Sequence, residues 1–269
     1  MIGLDLVRSF GVVREVGPPS LARRRFGVPV GGAFDFESAR LARALLGLSD
    51  AESIWELGLA FVEFRVLVAG SLAVVGAPCQ VLVNGVPCQG AFPIEAGASV
   101  VIEPPASGSR AYVGFRPSVQ VSPRRLAEVP LSLSEGKLRV VAGPQASAFD
   151  LVRFAQLEFR VGMASDRVGI RCEGVYQPHE IELPSEAACV GTIQVTPSGG
   201  LLILGPDGPT IGGYPKVAVV ASAEVSRLGQ LRPGQAVSFE VVTLETARAA
   251  QVVERRRLDR LVAQLSISA

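Results

Sequence analysis

The chain has 269 residues, with Lys+Arg 26 against Asp+Glu 25, giving a formal net charge of +1. Hydrophobic residues make up 48% and charged residues 19%, which excludes a disordered chain and supports a substantial buried core. Near-balanced charge also argues against a nucleic-acid binder, which concentrates a basic field on one face. The stretch from Arg8 to Arg14 reads as an opening strand, broken by Pro18-Pro19. Arg23-Arg24-Arg25 reads as a solvated basic loop. Asp35 is placed to cap a helix through Leu41, Ala42, Leu45 and Leu46, with Gly47 to end it. Ser49-Asp50-Ala51-Glu52 has the spacing of a capping box and predicts a second short turn of helix. From Trp55 the pattern becomes strand-like, with Val62, Phe64 and Val66 opposite Phe61, Glu63 and Arg65.

No charge occurs between Val66 and Ile94, a run long enough to cross a bilayer. Gly70, Gly76, Pro78, Gly85, Pro87 and Gly90 punctuate it, and Asn84-Gly85 between apolar residues signals a hairpin. Short strands in a β core explain the run, and no membrane span is expected. Further strands are expected at 72–75, 80–83, 99–103 and 111–115, and residues 116–134, with Pro117, Pro123 and Pro130, read as a linker. A second strand-rich block opens at Lys137-Leu138-Arg139-Val140-Val141, so the domains are expected at 1–134 and 135–269. The stretch 245–265 reads as a helix with Leu258, Leu261, Val262 and Leu265 on one face and Arg255-Arg256-Arg257 and Arg260 as a solvated charged face. A faint repeat relates 94–103 to 231–240: an apolar residue, a Gly turn, then a strand closing with Glu.

Cys79, Cys88, Cys172 and Cys189 form no Cys-x-x-Cys pair, and His179 is the single histidine. Zinc needs closely spaced ligands, so no metal site is expected. Free buried thiols and an N-terminus without a charged and apolar leader pattern predict a cytoplasmic protein.

Three stretches carry polar chemistry. Gly27-Val28-Pro29-Val30-Gly31-Gly32-Ala33-Phe34-Asp35 enters a helix, where free backbone N–H groups can approach an anion. It lacks the Lys-Ser/Thr of a nucleotide phosphate loop, and a tight turn with a helix cap explains it equally well. Ser165-Asp166-Arg167-Val168-Gly169-Ile170-Arg171 places two guanidiniums, suited to carboxylates, beside a carboxylate, or a structural Asp–Arg pair fixing a loop. Gly191-Thr192-Ile193-Gln194-Val195, with Asp207 and Gly212-Gly213-Tyr214-Pro215-Lys216 downstream, gathers hydroxyl, amide, phenol and ammonium groups around glycine turns. That mixture suits a small polar amide, with Lys216 for a carboxylate or phosphate. His179, flanked by Pro178, reads as an ordinary loop residue, and no Ser-His-Asp or Cys-His set is available.

In this order, Gly27 to Asp35, Glu56-Leu57-Gly58, Gly76-Ala77, Gly143-Pro144-Gln145, Ser165 to Gly169, Gly191 to Val195 and Gly212 to Lys216 resemble a known family. It is the KipA-like, allophanate-hydrolase-subunit-2 family, which includes the C subunit of 5-oxoprolinase and is also called the biotin-dependent carboxyltransferase-like family. The resemblance implies a mainly β chain of two cyclophilin-like β-barrel domains with a few short helices and a C-terminal helix. It implies a KipI-like partner, a further catalytic subunit in some complexes, and a small amide or lactam substrate. ATP-dependent opening of 5-oxoproline to glutamate is the activity expected first. A related urea-processing carboxyltransferase-like complex belongs to the same reading, and a regulatory antagonist of a KipI-like protein is the alternative. Peptidyl-prolyl isomerase activity rests on fold analogy alone. By matching motif, Asp166, Arg167, Tyr214 and Lys216 are catalytic candidates. Arg171, Gln194, Thr192, Gly31, Gly32, Asp35 and Glu56 are substrate-binding candidates. Neither Met1 nor Met163 precedes a lysine, so any biotin is expected on a partner chain, and the complex is expected to take ATP through its partners. The chain departs from the family by lacking a Leu-Gly-Ser-Arg-Ser-Thr segment after 111–115, and Gly208-Pro209-Thr210-Ile211 stands where polar residues are usual.

Overall fold

The computed structural model describes residues 3–125, 131–133 and 135–267. It is mainly β, with two barrel-like sheets, few helices and a long C-terminal helix, matching the fold class expected from the resemblance. The chain forms two compact units: Met1–Pro18, Asp35–Leu133 and Arg257–Ala269 in the first, Pro19–Phe34 and Ser134–Arg256 in the second. A single cut at residue 134 does not describe this division, because each unit takes in a segment from across that point.

The first unit holds β1 (Leu4–Val16), α1 (Phe36–Leu46), β2 (Ile54–Val66), β3 (Gly70–Gly76), β4 (Val81–Val83), β5 (Val86–Cys88), β6 (Gly90–Ile94), β7 (Ser99–Ile102) and β8 (Arg110–Pro117). Its sheet runs β5-β4-β7-β2-β8-β3-β6, with β1 paired to β2. Val62, Phe64 and Val66 are buried with Leu72, Val100, Ile102 and Val113 in one apolar core, each large side chain contributing about 1.5–3 kcal/mol by leaving water. Alternation along β2 breaks at Leu59, whose φ of 46° marks an irregularity opposite Gly11. Asn84 and Gly85 both have positive φ, as a two-residue hairpin turn requires, and β4 and β5 pair through Val83 and Val86.

Helix α1 begins and ends as its sequence predicts. The Asp35 carboxylate accepts from Ser38 N at 3.1 Å and Ser38 Oγ at 2.6 Å. Gly47 takes φ 63° and donates to Arg43 and Ala44 carbonyls. The expected second helix does not form. Glu52 accepts from Ser49 N at 2.6 Å and Ser49 Oγ at 3.0 Å, and its N–H goes to Ser49 O, so one of the two box bonds is made. These bonds close one turn only, because β2 starts at Ile54 and takes the backbone into extended conformation. Part of the expected linker is also structured: β8 extends to Pro117, Arg124 bridges Ala91, and 131–133 form a 3₁₀ turn. Its residues 126–130 and 134 lie outside the described residues.

The second unit holds β9 (Leu138–Ala142), α2 (Leu151–Gln156), β10 (Glu158–Val161), β11 (Gly169–Glu173), β12 (Glu186–Ala187), β13 (Thr192–Val195), β14 (Leu201–Leu204), β15 (Ile211–Gly212), β16 (Lys216–Val220), α3 (Val225–Gln230) and β17 (Ala236–Val241). Helix α4 (Leu244–Ile267) comes last in the chain. Strands β10-β11-β14-β13-β16-β9-β17 close a barrel in which β17 and β9 run parallel, and β12–β15 form a separate two-stranded sheet. Phe154 stacks on Phe239 at 4.8 Å, and Phe34, Val140, Ile193, Ile203 and Val217 fill the same core. In α4, Leu258 is buried while Leu261, Val262 and Leu265 are half-buried. Among the described residues, no helix is long and apolar enough to cross a membrane.

The faint sequence repeat has a structural basis. Gly97 and Gly234 take φ 84° and 82°. Gly97 N donates to Val66 O at the end of β2, and Val66 N donates to Ala98 O. Gly234 N donates to Val161 O at the end of β10, and Val161 N donates to Gln235 O. The two units therefore carry the same turn, tied to the same strand end and leading into a strand that pairs with it.

Candidate functional site

In the second unit, β13 and β16 pair with Gln194 opposite Lys216. Lys216 has 3% of its side chain exposed and Gln194 is 3% exposed overall. The small β12–β15 sheet, in register at Glu186 and Gly212, brings Glu186 to the buried ammonium. Lys216 Nζ donates to Glu186 Oε2 at 3.1 Å and to Gly212 O at 3.4 Å. Gln145 Nε2 donates to the same carboxylate oxygen at 3.1 Å, while its Oε1 accepts from Lys216 N at 3.0 Å. These two donors, Lys216 first, hold the Glu186 carboxyl below its ordinary range. The Gln194 amide reaches close to Gly212: a Cβ there would fall 2.6 Å from its nitrogen and would push that side chain aside. Among the described residues, no group hydrogen-bonds the Gln194 side chain. The Tyr214 side chain, 44% exposed, stands between Gly212 and Lys216 in sequence. A buried ammonium, two amides and a half-buried carboxylate thus converge on one glycine.

The other candidates from the second unit serve local structure. Arg167 forks onto Asp207, Nε to Oδ2 at 2.9 Å and Nη2 to Oδ1 at 2.8 Å, and its Nη2 also donates to Gly32 O at 2.7 Å. Asp166 caps its own turn, accepting from Val168 N at 2.8 Å and Gly169 N at 3.1 Å. Arg167 therefore pairs with Asp207 from another loop and not with Asp166 of its own stretch. Arg171 is exposed on β11, and Thr192 is buried, its hydroxyl accepting from Cys189 N at 3.1 Å. His179 ties its loop to Val195 O at 3.0 Å and to Ile181 N at 3.1 Å.

In the glycine stretch two of the glycine N–H groups are used within the protein, Gly27 N donating to Arg24 O at 2.9 Å. Gly31 N donates to Pro206 O at 2.9 Å, and Gly32 O accepts from Arg167. In the first unit, the start of α1 is filled by the Asp35 carboxylate, so its free N–H groups meet the protein's own anion. Asp35 N donates to Tyr112 OH at 2.8 Å, which donates to Glu56 Oε2 at 2.8 Å, and Arg110 Nε lies 3.4 Å from Glu56 Oε1. Asp35, Glu56 and Tyr112 are all buried. The four cysteines are free; Cys172 is buried, Cys79 and Cys88 are half-buried, and Cys189 is exposed, so the expectation of buried thiols holds for Cys172 alone. Among the described residues, no group of three or more His, Cys, Asp or Glu is placed to hold a metal.

Glu186 and Gln145 are the members of the Lys216 cluster that the sequence did not mark as site residues. Gln145 sits in the quoted Gly-Pro-Gln motif. Glu186 comes from an irregular stretch with no periodicity to mark it.

The chain is thus a two-unit β protein with a buried ammonium and amides gathered on one barrel. A family model of the carboxyltransferase domain, subdomain A and B, matches residues 26–127 and 117–241, and the chain belongs to that family. It is 25% identical over 285 residues to the C subunit of 5-oxoprolinase from Escherichia coli, covering 90% of this chain and 92% of that protein. It is 42% identical over 94 residues to the C subunit of 5-oxoprolinase from Haemophilus influenzae, covering 34% and 30%. The crystal structure of the K. lactis urea amidolyase superposes with a TM-score of 0.84 at 21% identity, which shows shared fold. That match covers 96% of this chain but 20% of the amidolyase chain.

Proposed function

We propose that the chain is the C-type subunit of an ATP-dependent 5-oxoprolinase, opening 5-oxoproline to glutamate in the cytoplasm with a KipI-like subunit and a further catalytic subunit. The observation that carries this reading is the similarity to the E. coli 5-oxoprolinase C subunit along nearly the full length of both chains. The site geometry supports it: Lys216 and Gln194 offer an ammonium and a free amide side by side, and the substrate carries a carboxylate and a lactam. Tyr214 and Thr192 flank these residues in sequence. Arg167 and Asp166 set the loops that frame the barrel end. ATP binds on the partner chains, because the Gly27 to Asp35 stretch lacks the Lys-Ser/Thr of a nucleotide phosphate loop. Any biotin arrives on a partner.

The test is to purify the chain with its KipI-like partner and the third subunit and to measure glutamate formed from 5-oxoproline and ATP. Glutamate is expected, with Lys216→Met lowering turnover on the order of 100-fold while the complex stays assembled. No glutamate, while the E. coli complex makes it in parallel, sinks the enzymatic reading. Urea with a biotinylated carrier is the second substrate arm. A regulatory subunit that binds a KipI-like protein is the second reading, favoured by the missing Leu-Gly-Ser-Arg-Ser-Thr segment between Phe115 and Leu138. Stoichiometric binding of that partner without turnover on either substrate is the result that selects it.

A further inference from the structure

The geometry points to Glu186 as a built-in stand-in for a ligand carboxylate: we propose that Lys216 and Gln145 form a carboxylate-binding fork that Glu186 closes, and that Gln194 reads the amide of the same ligand. This deepens the reading of the second unit as a substrate site and rests on it.

Four observations carry the assignment. Glu186 places a single oxygen, Oε2, 3.1 Å from both Lys216 Nζ and Gln145 Nε2. An ammonium and an amide converging on one carboxylate oxygen is the donor set that a small carboxylic acid needs. Second, the two partners differ in setting. Lys216 has 3% of its side chain exposed and is fixed on a barrel strand, whereas Glu186 has 40% exposed and sits on a two-residue strand outside the barrel. Lys216 is therefore held by the barrel wall and Gln145 is tied to the Lys216 backbone from the loop after β9, whereas the acceptor is carried by a short strap. Third, removing the carboxylate without a replacement leaves a buried ammonium unpaired, which is costly. The site accordingly stays closed until another anion takes the place. Fourth, Gln194 is buried beside Lys216 in register, and among the described residues nothing hydrogen-bonds its side chain. The residue is 3% exposed, and an amide with no protein partner on so nearly buried a side chain leaves its donor and acceptor open to a ligand's carbonyl or N–H. A carboxylate donor and an open amide side by side on adjacent strands, with Gln145 as the second donor from a loop, select a small molecule bearing both groups, the class that includes an N-acyl or lactam amino acid.

Glu186 thus competes with the ligand, and the apparent affinity is reduced by the fraction of molecules in which the strap is open. The experiment is calorimetric titration of the purified chain with three probes: 5-oxoproline, 2-pyrrolidinone, which lacks the carboxylate, and propionate, which lacks the amide. Glu186→Gln is expected to tighten 5-oxoproline and propionate by about tenfold, through release of the closed state, and to leave 2-pyrrolidinone unchanged. Glu186→Ala is expected to act in the same direction. Lys216→Met is expected to abolish carboxylate binding, and Gln194→Leu to weaken 5-oxoproline while sparing propionate. Thermal melts of each variant establish that it is folded. Weaker or unchanged carboxylate binding in both folded Glu186 variants overturns the proposal, as does binding by none of the proteins. Turnover of 5-oxoproline by the complex with no tightening in Glu186→Gln rejects the fork and leaves the subunit reading standing. Tightening without turnover in the complex keeps the fork and rejects the 5-oxoprolinase reading.

Discussion

Tyr112 joins two buried carboxyl-bearing residues that otherwise lack each other. Its hydroxyl accepts from Asp35 N and donates to Glu56, so Tyr112→Phe removes one buried hydrogen-bond partner from each. The expected loss is about 1–3 kcal/mol, read as a lower urea midpoint at neutral pH. Burial first, then the Glu56 and Asp35 charges, push this phenol well above its ordinary 10.0. The unfolded chain releases the phenol proton near the ordinary value and the folded chain keeps it. The unfolded state then binds fewer protons, so stability present below pH of about 10 falls as pH rises further. Tyr176, pushed up to about 12, adds to the same slope. Urea midpoints measured at pH of about 9 and 11 should therefore converge for wild type and Tyr112→Phe; parallel loss in the two proteins would mean that Tyr112 titrates normally. The cysteines divide on the same physics. Burial pushes Cys172 to about 12 and Cys79 to about 11, whereas Cys189 is exposed. Thiolate is the reactive form, so a thiol reagent on the native protein at neutral pH should label Cys189 first. Mass spectrometry of the modified peptides checks the order, and early labelling of Cys172 would contradict it.

At the scale of elements, the repeated turn is the feature with the sharpest consequence. Gly97 and Gly234 lie in the left-handed region with no heavy atom near where a Cβ would stand. Substitution with alanine at either site therefore meets backbone strain and no steric clash, a cost of about 1–2 kcal/mol. Equal shifts in urea midpoint are expected for Gly97→Ala and Gly234→Ala, and a shift confined to one would break the equivalence of the turns. Signals that act over a few residues were legible in the chain: Asp35 and Gly47 bound α1, Asn84-Gly85 turns the hairpin, and the Gly-turn repeat recurs in both units. The capping box at Ser49 half forms, with Glu52 reaching back to Ser49 N while the Ser49 hydroxyl turns to the Glu52 carboxylate, and β2 begins before a helical turn is built. At the site, Lys216 and Gln194 were readable because they lie on regular strands with motif glycines nearby. Glu186 was not, since a two-residue strand leaves no alternation to read and its partner comes from 30 residues away. Arg167 was readable as half of an ion pair, but its acid, Asp207, is chosen by the loop geometry of the barrel end and not by local spacing.

The division of the whole chain makes a prediction that no single element carries. Pro19–Phe34 precedes almost all of the first unit in sequence yet belongs to the second. Phe34 is buried in the second unit's core beside Ile203 and Val140, and Gly32 O completes the Arg167 fork. A fragment of residues 134–269 lacks both, leaving a cavity of phenylalanine size, which costs about 3–5 kcal/mol, and an arginine short of one acceptor. That total is comparable to the stability of a domain, about 5–15 kcal/mol. The isolated fragment is therefore expected to keep strand content by far-UV circular dichroism while losing a cooperative urea transition. Adding a peptide of residues 19–34 is expected to restore cooperativity, and the same peptide with Phe34→Ala to fail. Such rescue separates the loss of this segment from the loss of any other part of the first half, because the peptide restores Phe34 to the core and Gly32 O to the fork and nothing of the first half from outside residues 19–34. A fragment that unfolds cooperatively by itself would show that the second barrel is complete without the segment, and that Phe34 fills space the barrel can close.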